Sequence, residues 1–205
     1  MTIATDTEPK LRDGVAMKTH GSASYAVGVT HSHGPTADVS VRPGLADDAR
    51  AIAAIQVAAW RAAYPGIWPT AALDGLDVDA IESSWRDALV QPPTAKHRMF
   101  TACAGPVVVG FAAIAPVPDE PTTGEIVALE VSPARRGDGH SSRLLAACAD
   151  VLRQSSASAV RVWVVRGDVH REEFFRSAGL VPSGLVRTVD VLGTEVAEEA
   201  WSAAL

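Results

Sequence analysis

Hydrophobic positions recur along this chain with two different periods, and each change of period marks an element. From Val39 the run VSVRP predicts a short strand that stops at Pro43-Gly44. Leu45–Ala63 then places Ile52, Ile55 and Ala59 on one face of a 3.6-residue period, which predicts an amphipathic helix. Tyr64-Pro65-Gly66 and Trp68-Pro69 break it, and a second helix is expected over Val78–Val90, stopped by Pro92-Pro93. Arg98–Ala104 and Val107–Val117 flank Gly105-Pro106 and predict a hairpin. Glu125–Ser132 is a third apolar run, closed by Pro133.

Leu144, Leu145, Cys148, Val151 and Leu152 return to the helical period. Ala159–Val165 predicts a strand and Val169–Ala178 a short helix ended by Gly179. Strands near Leu180–Val191 and a terminal segment around Glu195–Ala203 close the chain. The order β-α-α-β-β-β-α-β-α-β predicts a mixed α/β fold with one parallel crossover through the Leu144 helix. Residues 1–38 are rich in Gly, Ser, Thr and His without a sustained period, so they are expected to form a flexible tail before a domain spanning 39–205.

Composition narrows the function. With 205 residues, 47% hydrophobic and 20% charged, the chain fits one globular domain plus a tail. A net charge of −6 argues against a non-specific nucleic-acid binder, which needs a basic face to release counterions. The N-terminus lacks a basic start followed by an apolar stretch, and no apolar run reaches membrane-spanning length; a cytoplasmic protein without membrane partners is expected. Two cysteines, Cys103 and Cys148, sit in apolar patterns and imply buried thiols rather than a zinc cluster. His31 and His33 lack a third ligand, so no metal is expected.

The chemistry concentrates in Val131-Ser-Pro-Ala-Arg-Arg-Gly-Asp-Gly-His-Ser-Ser-Arg-Leu-Leu145. A buried strand runs into a glycine-containing loop, and the loop opens an amphipathic helix. Backbone N–H groups at the positive end of a helix dipole bind anions, and a diphosphate is the natural guest. Gly137 and Gly139 allow close backbone approach, and Ser141 and Ser142 add hydroxyl donors. The Walker signature lacks its lysine here, and a dinucleotide fingerprint would need glycine where Ser142 stands. A plain strand-to-helix connection remains open on these residues alone.

Arg136-Gly-Asp-Gly139-His-Ser141, after Val131-x-Pro133, resembles motif A of the GNAT superfamily of acyl-CoA N-acyltransferases, Arg/Gln-x-x-Gly-x-Gly/Ala. Asp168-Val-His-Arg-Glu-Glu-Phe174-Phe175-Arg-Ser-Ala-Gly179-Leu180 is similar to the family's Asn-x-x-Ala-x-x-Phe-Tyr-x-x-x-Gly-Phe stretch, and Ala59-Trp60-Arg-Ala-Ala-Tyr64 to its first-helix wording. The resemblance covers roughly residues 39–192 and implies a mainly antiparallel central sheet of about six to seven strands flanked by helices.

It also implies acetyl-CoA as co-substrate. Arg136, Gly137, Asp138, Gly139, Ser141 and Ser142 would hold the diphosphate, and Asp168 would stand where an asparagine usually contacts the cofactor. The backbone of Leu129 and Val131 would pair with the pantetheine arm, with the Val131 N–H as oxyanion donor. Glu125, six residues before Val131, stands where the histone-acetyltransferase branch carries its general base, with Glu130 as rival.

Phe175 stands where many members have a tyrosine that protonates the leaving thiolate, and a phenyl ring cannot do so; His170 and Tyr64 are the candidate substitutes. The acceptor implied is a primary amine, either a protein lysine or a small cationic metabolite. Asp74, Asp77, Asp79 and Glu82 near the second helix offer a negative rim for it. A homodimer is compatible with the resemblance. The competing readings are a non-catalytic acyl-CoA-binding regulatory domain and a nucleotide-binding module.

Overall fold

The computed structural model describes residues 39–205, so the expected tail and the His31/His33 pair lie outside the described residues. The strands are β1 (Val39–Pro43), β2 (Arg98–Ala104), β3 (Val107–Val117), β4 (Glu120–Val131), β5 (Ala159–Val165), β6 (Val181–Val191) and β7 (Thr194–Ala204). The helices are α1 (Ala49–Ala63), α2 (Thr70–Asp74), α3 (Val78–Val90), α4 (His140–Gln154) and α5 (Val169–Ser177). One seven-stranded sheet runs β1-β2-β3-β4-β5-β7-β6. Every neighbouring pair is antiparallel except β4 and β5, which are joined by the α4 crossover.

The expected amphipathic faces are the buried ones. Leu144, Leu145, Cys148 and Leu152 of α4 pack on Ile126, Leu129, Val131, Val160, Val162 and Val164. On the opposite face Ile52 and Ile55 of α1 cover Phe111, with Trp85 of α3 beside them. A further cluster joins Val57 and Tyr64 to Leu73 of α2 and to Val165, Val191 and Val196.

Two elements differ from the sequence reading. The helix expected from Leu45 begins with a 3-10 turn, Ala46–Asp48, because Asp48 turns back to accept from the Leu45 N–H at 2.8 Å. The five-residue α2 is too short to show a period between its flanking breaks, and the sequence alone does not announce it.

The register of β4 sets the geometry of the site. Ala113 pairs with Ala128 and Ile114 with Ile126, so Val127 is an extra residue, a β-bulge. Simple alternation would put Ile126 and Leu129 on opposite faces. The bulge re-phases the strand, and Ile126, Leu129 and Val131 all face α4. Ala128 packs on the α1 side, the side to which Glu125 and Glu130 also turn.

Candidate active site

The parallel pairing of β4 with β5 runs from Thr123↔Ala159 to Ile126↔Val162 and stops, although β4 continues to Val131 and β5 to Val165. Beyond the bulge the two strands diverge and leave a gap between them. Ser132 donates to the Val109 carbonyl at 2.8 Å, which makes that rung a hydrogen-bonded one. Antiparallel rungs alternate, so Gly110↔Val131 and Ala112↔Leu129 are the non-bonded rungs. The N–H and C=O groups of Leu129 and Val131 therefore point away from β3 and into the gap. An extended ligand with amide groups can pair there like an added strand.

The gap leads to the glycine loop. Arg136, Gly137, Asp138 and Gly139 are exposed, and α4 starts at His140 directly after Gly139, whose φ of 78° is left-handed. Gly137 has φ +88° with open space where a Cβ would stand. Both conformations favour glycine, and they turn the first amides of α4 outward as an anion site. Ser141 is half-buried and Ser142 exposed on the first turn. Arg143, which sequence reasoning passed over, donates from Nη1 to the Asp138 carbonyl at 2.9 Å and adds positive charge over the loop. His140 is buried, and its Nδ1 has no hydrogen-bond partner.

Two of the β4 glutamates, Glu125 and Glu130, each meet an arginine carried by β5 or α5. Glu125 Oε2 accepts from Arg161 Nε at 3.0 Å and from Trp163 Nε1 at 3.2 Å. Both partners lie on β5, in and just beyond the last paired rungs. Glu130 Oε1 accepts from Arg171 Nη2 at 2.7 Å. Burial by itself would push the Arg171 guanidinium down, but the carboxylates of Glu130 and Asp168 hold it above its ordinary value.

Asp168 accepts from the Arg171 N–H at 3.0 Å as the cap of α5, and its Oδ2 lies 3.4 Å from Arg171 Nε. Its carboxylate is thus engaged within α5. Tyr64, at the end of α1, stacks on Trp68 with ring centroids 4.6 Å apart. Burial, opposed in part by Arg171, raises its phenol well above the ordinary value, so the ring keeps its proton. Phe175 is fully buried in the core against α4, and His170 is exposed.

The structure thus brings together Leu129, Val131 and the residues of the 136–142 loop along one gap. Glu125 stands at its inner end, and Glu130 and Asp168 meet through Arg171. It does not assemble the acidic rim. Asp77 is spent capping α3, where its Oδ1 accepts from the N–H groups of Asp79 and Ala80. Asp79 pairs with Arg50, and Glu82 pairs with Arg50 and with Arg86. Arginines offset the negative charge that the sequence displays there.

Sequence reasoning also missed Arg161 and Trp163. Their alternation in AVRVWVV put them on one face, but only the register shows that Glu125 faces that pair. Among the described residues no group of three metal-ligating side chains occurs, and no helix is long and apolar enough to cross a membrane.

Known proteins share this architecture. PaiA N-acetyltransferase from Thermoplasma acidophilum, solved in complex with coenzyme A, superposes with a TM-score of 0.65 at 15% identity, over 78% of this chain and 97% of that one. YncA from Salmonella typhimurium, solved with its cofactor acetyl-CoA, gives 0.61 at 15% identity over 82% and 95%. In sequence, the uncharacterized N-acetyltransferase YuaI of Bacillus subtilis (strain 168) is 30% identical over 129 residues, 62% of this chain and 72% of that protein. The model of the acetyltransferase (GNAT) family matches residues 57–180, which hold the strand gap, the glycine loop, Glu125 and Glu130. That match covers more than half of the sequence, and the chain belongs to the acetyltransferase (GNAT) family.

Proposed function

We propose that this chain transfers an acetyl group from acetyl-CoA to a primary amine, a protein lysine or a small cationic metabolite, by direct attack with Glu125 as general base. The observation that carries this reading is the gap beyond Ile126 and Val162. The Leu129 and Val131 amides line it, it ends at the α4 N-terminus, and Glu125 stands at its closed end. The residues present fit coenzyme A: strand amides for the pantetheine arm, and loop amides with Arg136, Ser141 and Ser142 around the diphosphate. The thioester supplies an activated acyl group.

This chain's residues then do two things. The Val131 N–H, turned into the gap, is an oxyanion donor. Glu125 takes the proton from the amine, whose lysine-like pKa of about 10.4 keeps it protonated at neutral pH. The protein supplies no acid from Phe175, and a thiol pKa of about 8.5 makes thiolate a fair leaving group without one. One C–N bond forms and one C–S bond breaks; the ammonium gives its first proton to Glu125, and the second N–H proton, lost after attack, goes to the departing thiolate to give the free thiol.

Phe175 also favours a second reading, a non-catalytic acyl-CoA sensor. One experiment separates the two. Melting is followed with CoA, acetyl-CoA, ATP and NAD, and thiol release is then screened over amines with wild type and Glu125→Gln. A ligand at about 100 times Kd stabilises by roughly 2.7 kcal/mol, several degrees in Tm. A shift with CoA compounds alone, with thiol release lost in Glu125→Gln, is the expected result. A shift without turnover on any amine favours the sensor, and no shift with CoA overturns both.

A further inference from the structure

The face of the sheet that carries Glu125 holds a mount around one indole. Val160, Val162 and Val164 of β5 turn toward α4, so Arg161 and Trp163 turn to the opposite face. Arg161 Nε binds Glu125 and its Nη1 binds Glu120 Oε1 at 2.9 Å, with the guanidinium carbon 5.6 Å from the Trp163 ring centroid. Arg187 of β6 lies over the same ring at 4.4 Å, and its Nε is 2.6 Å from Glu198 Oε2 of β7. Two guanidinium groups, each anchored by a glutamate, therefore pack on one indole. Cation–π contact is worth about 0.5–1 kcal/mol at exposed sites and more when desolvated, so this packing fixes the ring. The fixed ring aims its N–H at Glu125.

We infer that Trp163 is a positioning residue for Glu125: its Nε1–H, together with Arg161 Nε, pins Oε2 and leaves Oε1 to receive the proton of the acceptor amine. Both hydrogen bonds fall on the same oxygen. A carboxylate that accepted one bond on each oxygen would present no defined lone pair to the amine. The charged groups around Glu125 are Arg161 and Glu120 and, across the indole, Arg187 and Glu198. The inference rests on the reading of Glu125 as the base.

Trp163→Phe keeps an aromatic ring for the guanidinium groups and deletes the donor together with the pyrrole ring that carries it. Loss of a hydrogen bond to a charged group predicts a fall in kcat/KM of about tenfold or more, with KM for acetyl-CoA unchanged. Because the donor favours the charged carboxylate, its loss moves the acidic limb of the kcat/KM profile to higher pH. Arg187→Met removes the outer guanidinium, keeps the donor and leaves that limb in place. In wild type the Trp163 indole N–H resonance titrates with the midpoint of that limb, and in Glu125→Gln the titration disappears; this readout needs no Trp163 variant to fold.

Glu125→Gln with near wild-type turnover overturns the base reading and the inference with it. Glu125→Gln inactive with an unmoved Trp163→Phe profile, or an indole resonance that does not titrate, overturns the inference alone.

Discussion

Arg171 of α5 reaches the β4 side of the open gap and places Nη2 2.7 Å from Glu130 Oε1, tying the two diverging arms of the sheet together where no backbone rung does. Both side chains are largely buried, at 17% and 8% exposure, so the bridge lies in a low-dielectric setting beside Tyr64. In the resembling family stretch this position is an alanine. Here it carries a charge that must be matched, and Glu130 and Asp168 match it.

Removing one partner of that bridge leaves an uncompensated buried charge. Arg171→Met is expected to lose about 3 kcal/mol or more of stability, and Glu130→Gln combined with Arg171→Met distinctly less. Urea unfolding of the singles and the double, read as a double-mutant cycle, checks this. A double that costs the sum of the two singles would show that the pair is not energetically coupled.

Gly139 and Gly179 both hold positive φ, 78° and 89°, but only Gly139 borders the anion site. A Cβ on Gly139 would come within 3.1 Å of Arg143 Nη1, whereas Gly179 faces open space. Gly139→Ala and Gly179→Ala should each cost about 1–2 kcal/mol of stability from the left-handed backbone. Only Gly139→Ala should weaken CoA binding, measured by calorimetry. Equal affinities in the two variants would remove the loop from the cofactor site.

Arg42 grips Asp48 with Nη1 on Oδ2 at 2.7 Å and Nη2 on Oδ1 at 2.8 Å. This bidentate bond holds the Asp48 carboxyl below the usual carboxylate range, despite its burial. A carboxyl depressed in the folded state stabilises at pH above its ordinary value of about 3.9, and that contribution is lost as pH falls through the folded-state value. Asp48→Asn should cost about 1–2 kcal/mol at pH 7, and the difference from wild type should close in strong acid. Chemical denaturation at a series of pH values measures both.

Cys148 is fully buried in α4, and burial pushes its thiol up to about 12. Iodoacetamide at pH 8 should leave it unmodified in the native protein and alkylate it once the chain is unfolded. Labelling of native Cys148, located by peptide mass, would show that α4 opens from the sheet.

Most elements were legible because their signals are local. The apolar runs of Arg98–Ala104 and Val107–Val117, the helical stripe of Leu144, Leu145, Cys148 and Leu152, and breakers such as Pro92 and Gly105 act within one segment, and strands and helices form where they stand. The glycine loop opening α4 was legible for the same reason, as were the candidate residues Glu125, Leu129 and Val131. The sequence pattern understates the length of β4. That strand begins at Glu120, ahead of the apolar run, where polar residues join the ladder only because β3 lies beside them.

Tertiary structure alone decided which groups meet. The bulge at Val127 sets which β4 side chains share a face, and it exists only relative to β3. Glu125 finds Arg161 across 36 residues of chain through a parallel register, and Glu130 finds Arg171 across 41 through the docking of α5, neither of which a short-range pattern encodes. The acidic stretch of α3 has the look of a rim in the sequence, and in the fold Arg50, 29 residues from Asp79, pairs with both Asp79 and Glu82. Sequence periodicity specifies the face a residue occupies within its own element; the partner on that face depends on how separate elements dock, and docking is a property of the packed whole.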